Sequence, residues 1–321
     1  MPRIGIIGAK HTTLDLGHGL QRAGYKLDAC LTVDRQVADK NQIAGYLSLH
    51  EPMGKLGIPV FRAKSYVLNT DFDRTQCLGL DLDVLLVMGW QRLIPDWWLQ
   101  SLRRGAFGMH GASKPLPFGR GRSPMNWSLI QDKNSFYTHL FRYKPGIDDG
   151  DVVAVQAFEI NDFDTCKTLH YKNTIAMIKL CAANLDAILE GRADYHSQGD
   201  ATPSYYPKRS AEDGILYWND NTRTLYNLVR AVTHPFPGAF TFLGGRKLMI
   251  WRAQPFDTKL SWEAPSGRIV AVLEGGDFVV KTGDGALLIT KHEGQYLTHV
   301  DVGRDFDQPP LPRKEWKNLP E

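Results

Sequence analysis

The stretch from Asp83 to Gly89 constrains the fold more than any other. Val84-Leu85-Leu86-Val87-Met88 runs apolar without a break between an acid and a glycine, with no polar alternation. A strand of that kind is covered on both faces, as in a parallel sheet with helices above and below. Its surroundings agree. Short strands are expected at residues 3–8, 27–33, 58–62 and 106–110, with a helical pattern from Thr13 to Ala23. Pro95 suits the start of a further helix, with Asp96 in its first turn. Strands alternating with helices predict an α/β fold built on a mainly parallel, doubly wound sheet. Ser123-Pro124 reads as a cap and first turn of the next helix. Strands at 136–143 and 152–160 follow. A long helix is then expected from Cys166 to Glu190, on a stripe of Leu169, Ile175, Ile178, Leu185 and Leu189.

Beyond residue 190 the pattern changes. Residues 191–213 are polar, carry Pro203 and Pro207, and read as a linker between a first domain (1–190) and a second (214–305). The second opens with a short helix, Leu225 to Thr233. Five short strands with glycine turns come next, at 238–242, 248–251, 267–272, 278–281 and 287–290, and predict a small β-barrel. Residues 306–321 are rich in proline and charge and read as an extended tail. A chain of 321 residues has room for this arrangement.

Composition narrows the function classes. A net charge of +3 is too small to mark a nucleic-acid surface. The four cysteines (Cys30, Cys77, Cys166, Cys181) form no CxxC pair, which argues against structural zinc and a disulfide framework. The chain enters its first strand directly, without a basic-then-apolar leader, and no apolar run approaches the roughly 18 residues of a membrane helix. A soluble, cytoplasmic protein with no membrane partner is the expectation.

Several motifs could carry chemistry. Gly5-Ile6-Ile7-Gly8-Ala9-Lys10 is only GxxG, short of the GxGxxG dinucleotide fingerprint. It reads first as a tight strand-to-helix turn, although Lys10 and the helix amides could meet a phosphate. His110 ends an apolar strand and leads into a loop holding Ser113, Lys114, Arg120 and Arg122. The end of a buried strand is where α/β folds place ligands. The arginines could equally brace the loop. Asp148, Asp149 and Asp151 surround Gly150; an acidic turn is the plain reading. No third oxygen-rich segment accompanies them, so no metal is expected. Trp90, Trp97 and Trp98 could line a pocket for a flat ring or simply pack. A His and an Asp from two strand ends would suit proton transfer at an acyl carbon.

The set Gly108-Met109-His110-Gly111-Ala112-Ser113, Arg120-Gly121-Arg122-Ser123-Pro124-Met125-Asn126-Trp127 and Asp148-Asp149-Gly150 resembles the N10-formyltetrahydrofolate-dependent formyltransferase family. Downstream, Tyr206-Pro207-Lys208-Arg209, Glu212-Asp213-Gly214-Ile215, Trp218, Asn227-Leu228-Val229-Arg230-Ala231 and Pro235-Phe236-Pro237-Gly238 continue the likeness, which is strongest to the nucleotide-sugar enzymes. The resemblance implies a Rossmann-like catalytic domain and a C-terminal domain related to the oligonucleotide-binding (OB) barrel. It implies His110 and Asp148 as catalytic residues, with an asparagine expected where this chain has Gly108. Losing one preorganised oxyanion donor typically costs about 10²- to 10³-fold in rate. Three outcomes are open: another donor fills the gap, the enzyme is slow, or the chain binds ligands without efficient turnover. Asn126 is a poor substitute, because relatives also carry an asparagine there.

The family places folate along Met88, Gly89, Trp90, Arg92, Leu93 and Ile94, with its pterin edge at Gly146 and Ile147. Lys10, Ser113, Lys114, Arg120 and Arg122 would face the acceptor substrate. The implied co-substrate is N10-formyltetrahydrofolate and the implied acceptor a nucleotide-linked amino sugar, for surface polysaccharide. Two other readings are a non-catalytic folate-binding relative and formylation of initiator methionyl-tRNA. The tRNA enzymes carry a basic insertion after the second strand; here residues 34–55 hold three acids and three bases. Affinity for nucleic acid needs clustered positive charge, so the tRNA reading is disfavoured. Oligomeric state is open, with the homodimer common among the sugar enzymes as precedent.

Overall fold

The structure is a computed structural model that describes residues 2–257, 259–309, 313–316 and 319–320. The chain divides into two compact units that interleave along the sequence. The first comprises Met1–Gly121, Tyr137–Phe158 and Tyr171–Ser204; the second comprises Arg122–Phe136, Glu159–His170 and Tyr205–Glu321.

The first unit is built on a seven-stranded sheet. In chain order the elements are β1 (Ile4–Ile7), α1 (His11–Arg22), β2 (Ala29–Val33), α2 (Arg35–Lys40), α3 (His50–Lys55) and β3 (Val60–Ala63). Next come α4 (Asp71–Gly79), β4 (Val84–Val87), α5 (Asp96–Leu99), β5 (Gly105–Ala112) and the two-residue β6 (Arg120–Gly121). After α6 (Pro124–Ile130) follow β7 (Ser135–Arg142), β8 (Val152–Glu159) and α7 (Cys166–Glu190). The sheet order is β3-β2-β1-β4-β5-β7-β8. The first five strands run parallel, and β7 is antiparallel to β5. This is the Rossmann-like, doubly wound sheet that the unbroken apolar run demands.

That run has no alternation because both faces are covered. Ile7, Leu31, Leu85, Val87 and Ala106 join one core, with Cys77 of α4 and Trp98 of α5. Ile6, Cys30, Val84, Leu86 and Phe107 join the other, with Leu16 and Leu20 of α1 and Leu180 and Leu185 of α7. Successive strand residues point to opposite faces, so consecutive apolar residues feed both cores. Strand order reverses between β1 and β4, and a crevice outside the strand ends at such a switch point is where α/β sheets bind ligands.

The second unit holds α6, the two-residue β9 (Tyr205–Tyr206), α8 (Thr222–Val232) and a five-stranded antiparallel sheet. Its strands are β10 (Ala239–Leu243), β11 (Arg246–Pro255), β12 (Ile269–Val272), β13 (Phe278–Lys281) and β14 (Ala286–Glu293), ordered β10-β11-β14-β13-β12. Asn126 of α6 donates to the Ala231 carbonyl of α8 at 2.6 Å. Arg230, 2% exposed, donates to Asn227, Asn161 and Asp164 and locks the helix to that segment. Ser123 takes the cap position of α6, but its backbone lies in the left-handed region (φ 56°) and its hydroxyl makes no capping bond. A side-chain cap needs the extended conformation there. All four cysteines are free and buried. Among the described residues no helix is long and apolar enough to cross a membrane, and no cluster of side chains could hold a metal ion.

Candidate active site

Three segments of the first unit converge on His110. The first is β5 itself. Its last pair with β4 is Val87↔Gly108, so Met109 to Ala112 project beyond the end of β4 and pair only with β7. His110 therefore stands past the carboxyl ends of the parallel strands, on the same face of β5 as Gly108. It is 9% exposed.

The second segment is the turn after β7. Tyr143 continues the ladder by donating to the Ala106 carbonyl at 2.8 Å, and Arg142 donates to Asp151 at 2.9 Å. The chain reverses between them. Gly150 permits this, because a Cβ there would lie 1.6 Å from the Arg142 carbonyl oxygen. Asp148 adopts φ 51°, a left-handed conformation that Asp tolerates better than most residues. Gln198 fixes the turn by donating to the carbonyls of Asp148 and Gly150, each at 2.8 Å. The result sets Asp148 Oδ2 at 3.3 Å from His110 Nδ1, with side chains 22% and 9% exposed.

The third is the loop of residues 113–121. Its Gly119 carbonyl lies 2.7 Å from His110 Nε2, and the Gly121 amide donates to Asp148 Oδ2 at 3.3 Å. Ser204 anchors the loop from outside: its hydroxyl accepts from Gly119 and its carbonyl from Arg120. Both ring nitrogens of His110 thus face protein oxygens, a carboxylate and a carbonyl. The Nε2–H donates to Gly119 and the Nδ1 side is turned to Asp148.

Opposite His110 on β7 is His139. Its Nε2 accepts from the Leu116 amide at 3.2 Å, so its proton sits on Nδ1 and points to the His110 carbonyl, also at 3.2 Å. Burial pushes its pKa down to about 4. His139 is a neutral strut between β5 and the loop. Sequence pattern does not single it out, nor Gln198, Ser204 or Tyr143, because each acts across the sheet or across a long stretch of chain.

Lys10 sits at the N-terminus of α1, at the switch point, where Ala9 donates to the Gly89 carbonyl. Burial lowers the Lys10 pKa to about 8. Met88 and Ile94 are core residues, 1% and 3% exposed, so they can present only backbone to a ligand. Gly89 has φ 81°. Trp90 is buried edge-on against Tyr66, and its indole nitrogen has no partner among the described residues. Arg92 lies over the Tyr66 ring. Leu93 and Ile147 are exposed apolar side chains, at 59% and 54%. Gly146 is covered by the Asp149 carboxylate, whose Oδ2 lies 1.9 Å from where its Cβ would be. Ser113 is half-buried and Lys114 exposed. Arg120 is 8% exposed and grips Gln198 with Nη2 at 2.6 Å, which makes it a brace of the aspartate turn. Arg122, in the second unit, is exposed, and its amide donates to the Tyr206 carbonyl.

Gly108 is closely covered. A Cβ built there would fall 2.0 Å from Tyr143 Cε1 and 2.4 Å from its Oη. The Tyr143 hydroxyl has its pKa raised, first by desolvation and then by the Asp148 charge. Tyr143, Asp148 and His110 form one electrostatic neighbourhood.

Known proteins share part of this chain's sequence and its fold. Residues 208–298 match the family model described as formyl transferase, C-terminal domain. Among solved structures, HypX from Aquifex aeolicus in complex with tetrahydrofolic acid aligns with a TM-score of 0.64 at 17% identity, over 91% of this chain and 44% of that one. The chain thus spans less than half the length of HypX. An N-formyltransferase from Helicobacter canadensis, solved with folinic acid and dTDP-3-aminofucose, aligns with a TM-score of 0.66 at 15% identity, over 91% of this chain and all of that one. A sugar N-formyltransferase from Shewanella sp. aligns with a TM-score of 0.58 at 15% identity, over 78% and 96% of the two chains. The chain carries the C-terminal domain of the formyltransferase family behind an N-terminal half with the fold of the sugar N-formyltransferases.

Proposed function

We propose that this protein transfers a formyl group from N10-formyltetrahydrofolate to the amine of a nucleotide-linked amino sugar. The observation that carries the reading is the His110–Asp148 pair, Nδ1 to Oδ2 at 3.3 Å, held past the strand ends of a sheet whose chain continues into a formyltransferase C-terminal domain.

In such a transfer the amine adds to the formyl carbon, the carbonyl pair moves onto oxygen, the amine proton departs, and the bond to N10 breaks as that nitrogen gains a proton. Asp148, in a turn that Gln198 fixes by donating to the Asp148 and Gly150 carbonyls, would accept the amine proton, and His110 would share it. The folate edge would lie along Met88 to Ile94 and Gly146-Ile147. The exposed Leu93 and Ile147 offer apolar surface to a heterocycle, and the orphaned Trp90 indole N–H a donor. The desolvated Lys10 at the switch point, with the exposed Lys114, supplies positive charge for an anionic acceptor.

The direct test is incubation with N10-formyltetrahydrofolate and a panel of UDP-, dTDP- and GDP-linked amino sugars, read by mass spectrometry. Formylation of at least one is expected. Formylation of none overturns the sugar reading. The second reading, a folate-binding protein without efficient transfer, is motivated by the missing side chain at Gly108; it predicts folate binding or deformylation with no formylated amine.

A further inference from the structure

Gly108 removes a side chain from the face of β5 that carries His110, and the structure shows what occupies that space. Tyr143 lies opposite Ala106 in the continued β5–β7 ladder. Cross-strand partners share a face, and diagonal neighbours come within reach of an aromatic ring. Tyr143 therefore leans over Gly108 from the neighbouring strand, stacked on Phe141 with ring centroids 5.2 Å apart. Its Oη lies 2.4 Å from the Cβ position of residue 108. An asparagine amide nitrogen sits two covalent bonds from its own Cβ, roughly 2.4 Å away. The hydroxyl lies at the radius where an amide at 108 would present its donor.

The chemistry of the neighbourhood fits. Both His110 nitrogens are turned to protein oxygens, Gly119 and Asp148, leaving no free ring N–H for the reacting oxygen. The Tyr143 hydroxyl makes no hydrogen bond among the described residues, so its proton is available. Desolvation and the Asp148 charge hold that phenol protonated at neutral pH.

We propose that the Tyr143 hydroxyl is the hydrogen-bond donor to the oxygen of the transferred formyl group, replacing from just past the end of β7 the donor that Gly108 cannot supply. This rests on the formyl-transfer reading. In the step, the attacking amine nitrogen bonds to the formyl carbon and the carbonyl π pair localises on oxygen, which accepts the Tyr143 hydrogen bond. Tyr143 keeps its proton; the amine proton passes to Asp148 and His110. The oxygen lone pair then re-forms the carbonyl as the carbon–N10 bond breaks and N10 takes up the proton held by Asp148 and His110.

Tyr143→Phe keeps the ring over Gly108 and removes only the donor. Single-turnover formyl transfer is expected to slow about 10²- to 10³-fold. Affinity for folinic acid and melting temperature should stay close to wild type, a split that a merely structural tyrosine would not give. Gly108→Asn alone should be inactive or unfolded, since its side chain collides with the phenol. Combined with Tyr143→Ala, it should transfer at least tenfold faster than Tyr143→Ala by itself. Transfer by Tyr143→Phe at the wild-type rate overturns the assignment, as does a double variant no faster than Tyr143→Ala. If the wild type transfers to no amine, deformylation of N10-formyltetrahydrofolate carries the same comparison. A wild type with neither activity overturns the formyl-transfer reading and the assignment with it, whereas an active wild type beside an equally active Tyr143→Phe overturns the assignment alone.

Discussion

His139 shows how much one buried side chain adds to this site. It touches no proposed substrate, yet it ties the His110 carbonyl to the Leu116 amide. Its folded pKa of about 4 lies below the ordinary value of 6.5. The unfolded chain therefore binds a proton near pH 6.5 that the folded protein refuses. The stability tied to His139 is full above pH 6.5 and is lost as pH falls from there toward 4. The shift corresponds to about 3 kcal/mol at the low end of the window. Denaturant titrations between pH 7 and pH 4.5 should show wild-type stability falling more steeply than that of His139→Gln. The variant should be less stable at pH 7, having lost a bond to the loop. Parallel pH dependences in the two proteins would refute the assignment. Asp148 is the contrasting residue, for which the proposed role is chemistry. Asp148→Asn keeps the turn and removes the charge that faces His110, so kcat should fall about 10²- to 10⁴-fold with the fold intact. A fall under tenfold would remove Asp148 from the proton path.

Glycines govern the elements around the site, and their surroundings separate the structural ones from the idle ones. Gly8 ends β1, and a Cβ there would lie 2.0 Å from the Met88 carbonyl oxygen and 2.1 Å from Thr13 Oγ1. Those two atoms are themselves bonded at 2.6 Å, joining α1 to the end of β4. Gly8→Ala must push the β1 end, α1 and β4 apart, at a cost of about 1–3 kcal/mol or more, and should weaken folate binding at the adjoining Met88–Ile94 segment. Gly54 of α3 has nothing within 4 Å of its Cβ position. Gly54→Ala should stabilise by about 0.5–1 kcal/mol through helix propensity. Equal melting temperatures for the two variants would contradict both accounts. The elements were largely legible in the sequence because their periodicity is local. The unbroken Asp83–Gly89 run marked a strand buried on both faces, and α7 begins and ends where its apolar stripe does. The short helices α2, α3 and α4 were not visible, being six to nine residues long with few apolar positions. Tyr143 was hidden for a different reason. Its partner is Gly108, a long way back along the chain, and the register that aligns β5 with β7 is a tertiary fact. The available signal was chemical: a glycine inside a buried strand leaves space that an aromatic residue on the next strand can fill.

At the scale of the whole molecule, the proposed ligand contacts and the family match fall in different compact units. His110, Asp148, Tyr143, Lys10 and the segments at 88–94 and 146–147 all belong to the first unit, whereas residues 208–298, which match the formyltransferase C-terminal domain, belong to the second. A linear reading of the sequence divides the chain at residue 190. The compact units group residues 122–136 and 159–170 with the C-terminal half, where Asn126 meets Ala231 and Arg230 grips Asn161 and Asp164. Side-chain bonds across 66 to 105 residues leave no mark in composition, so that grouping is invisible to a sequence scan. The division makes folate binding testable without turnover. A ligand that binds only the folded protein stabilises it by about 2.7 kcal/mol at a hundred times its dissociation constant. Tetrahydrofolate at that excess should raise the melting temperature. In hydrogen exchange it should slow the amides at 88–94 and 146–147, the proposed folate contacts, and the β5 amides near His110. Direct protection is not expected in the β10–β14 sheet, which carries none of the proposed folate contacts. Protection confined to that sheet, with residues 88–94 exchanging as in the free protein, would place folate elsewhere and remove the basis for reading His110 and Asp148 as the formyl-transfer pair.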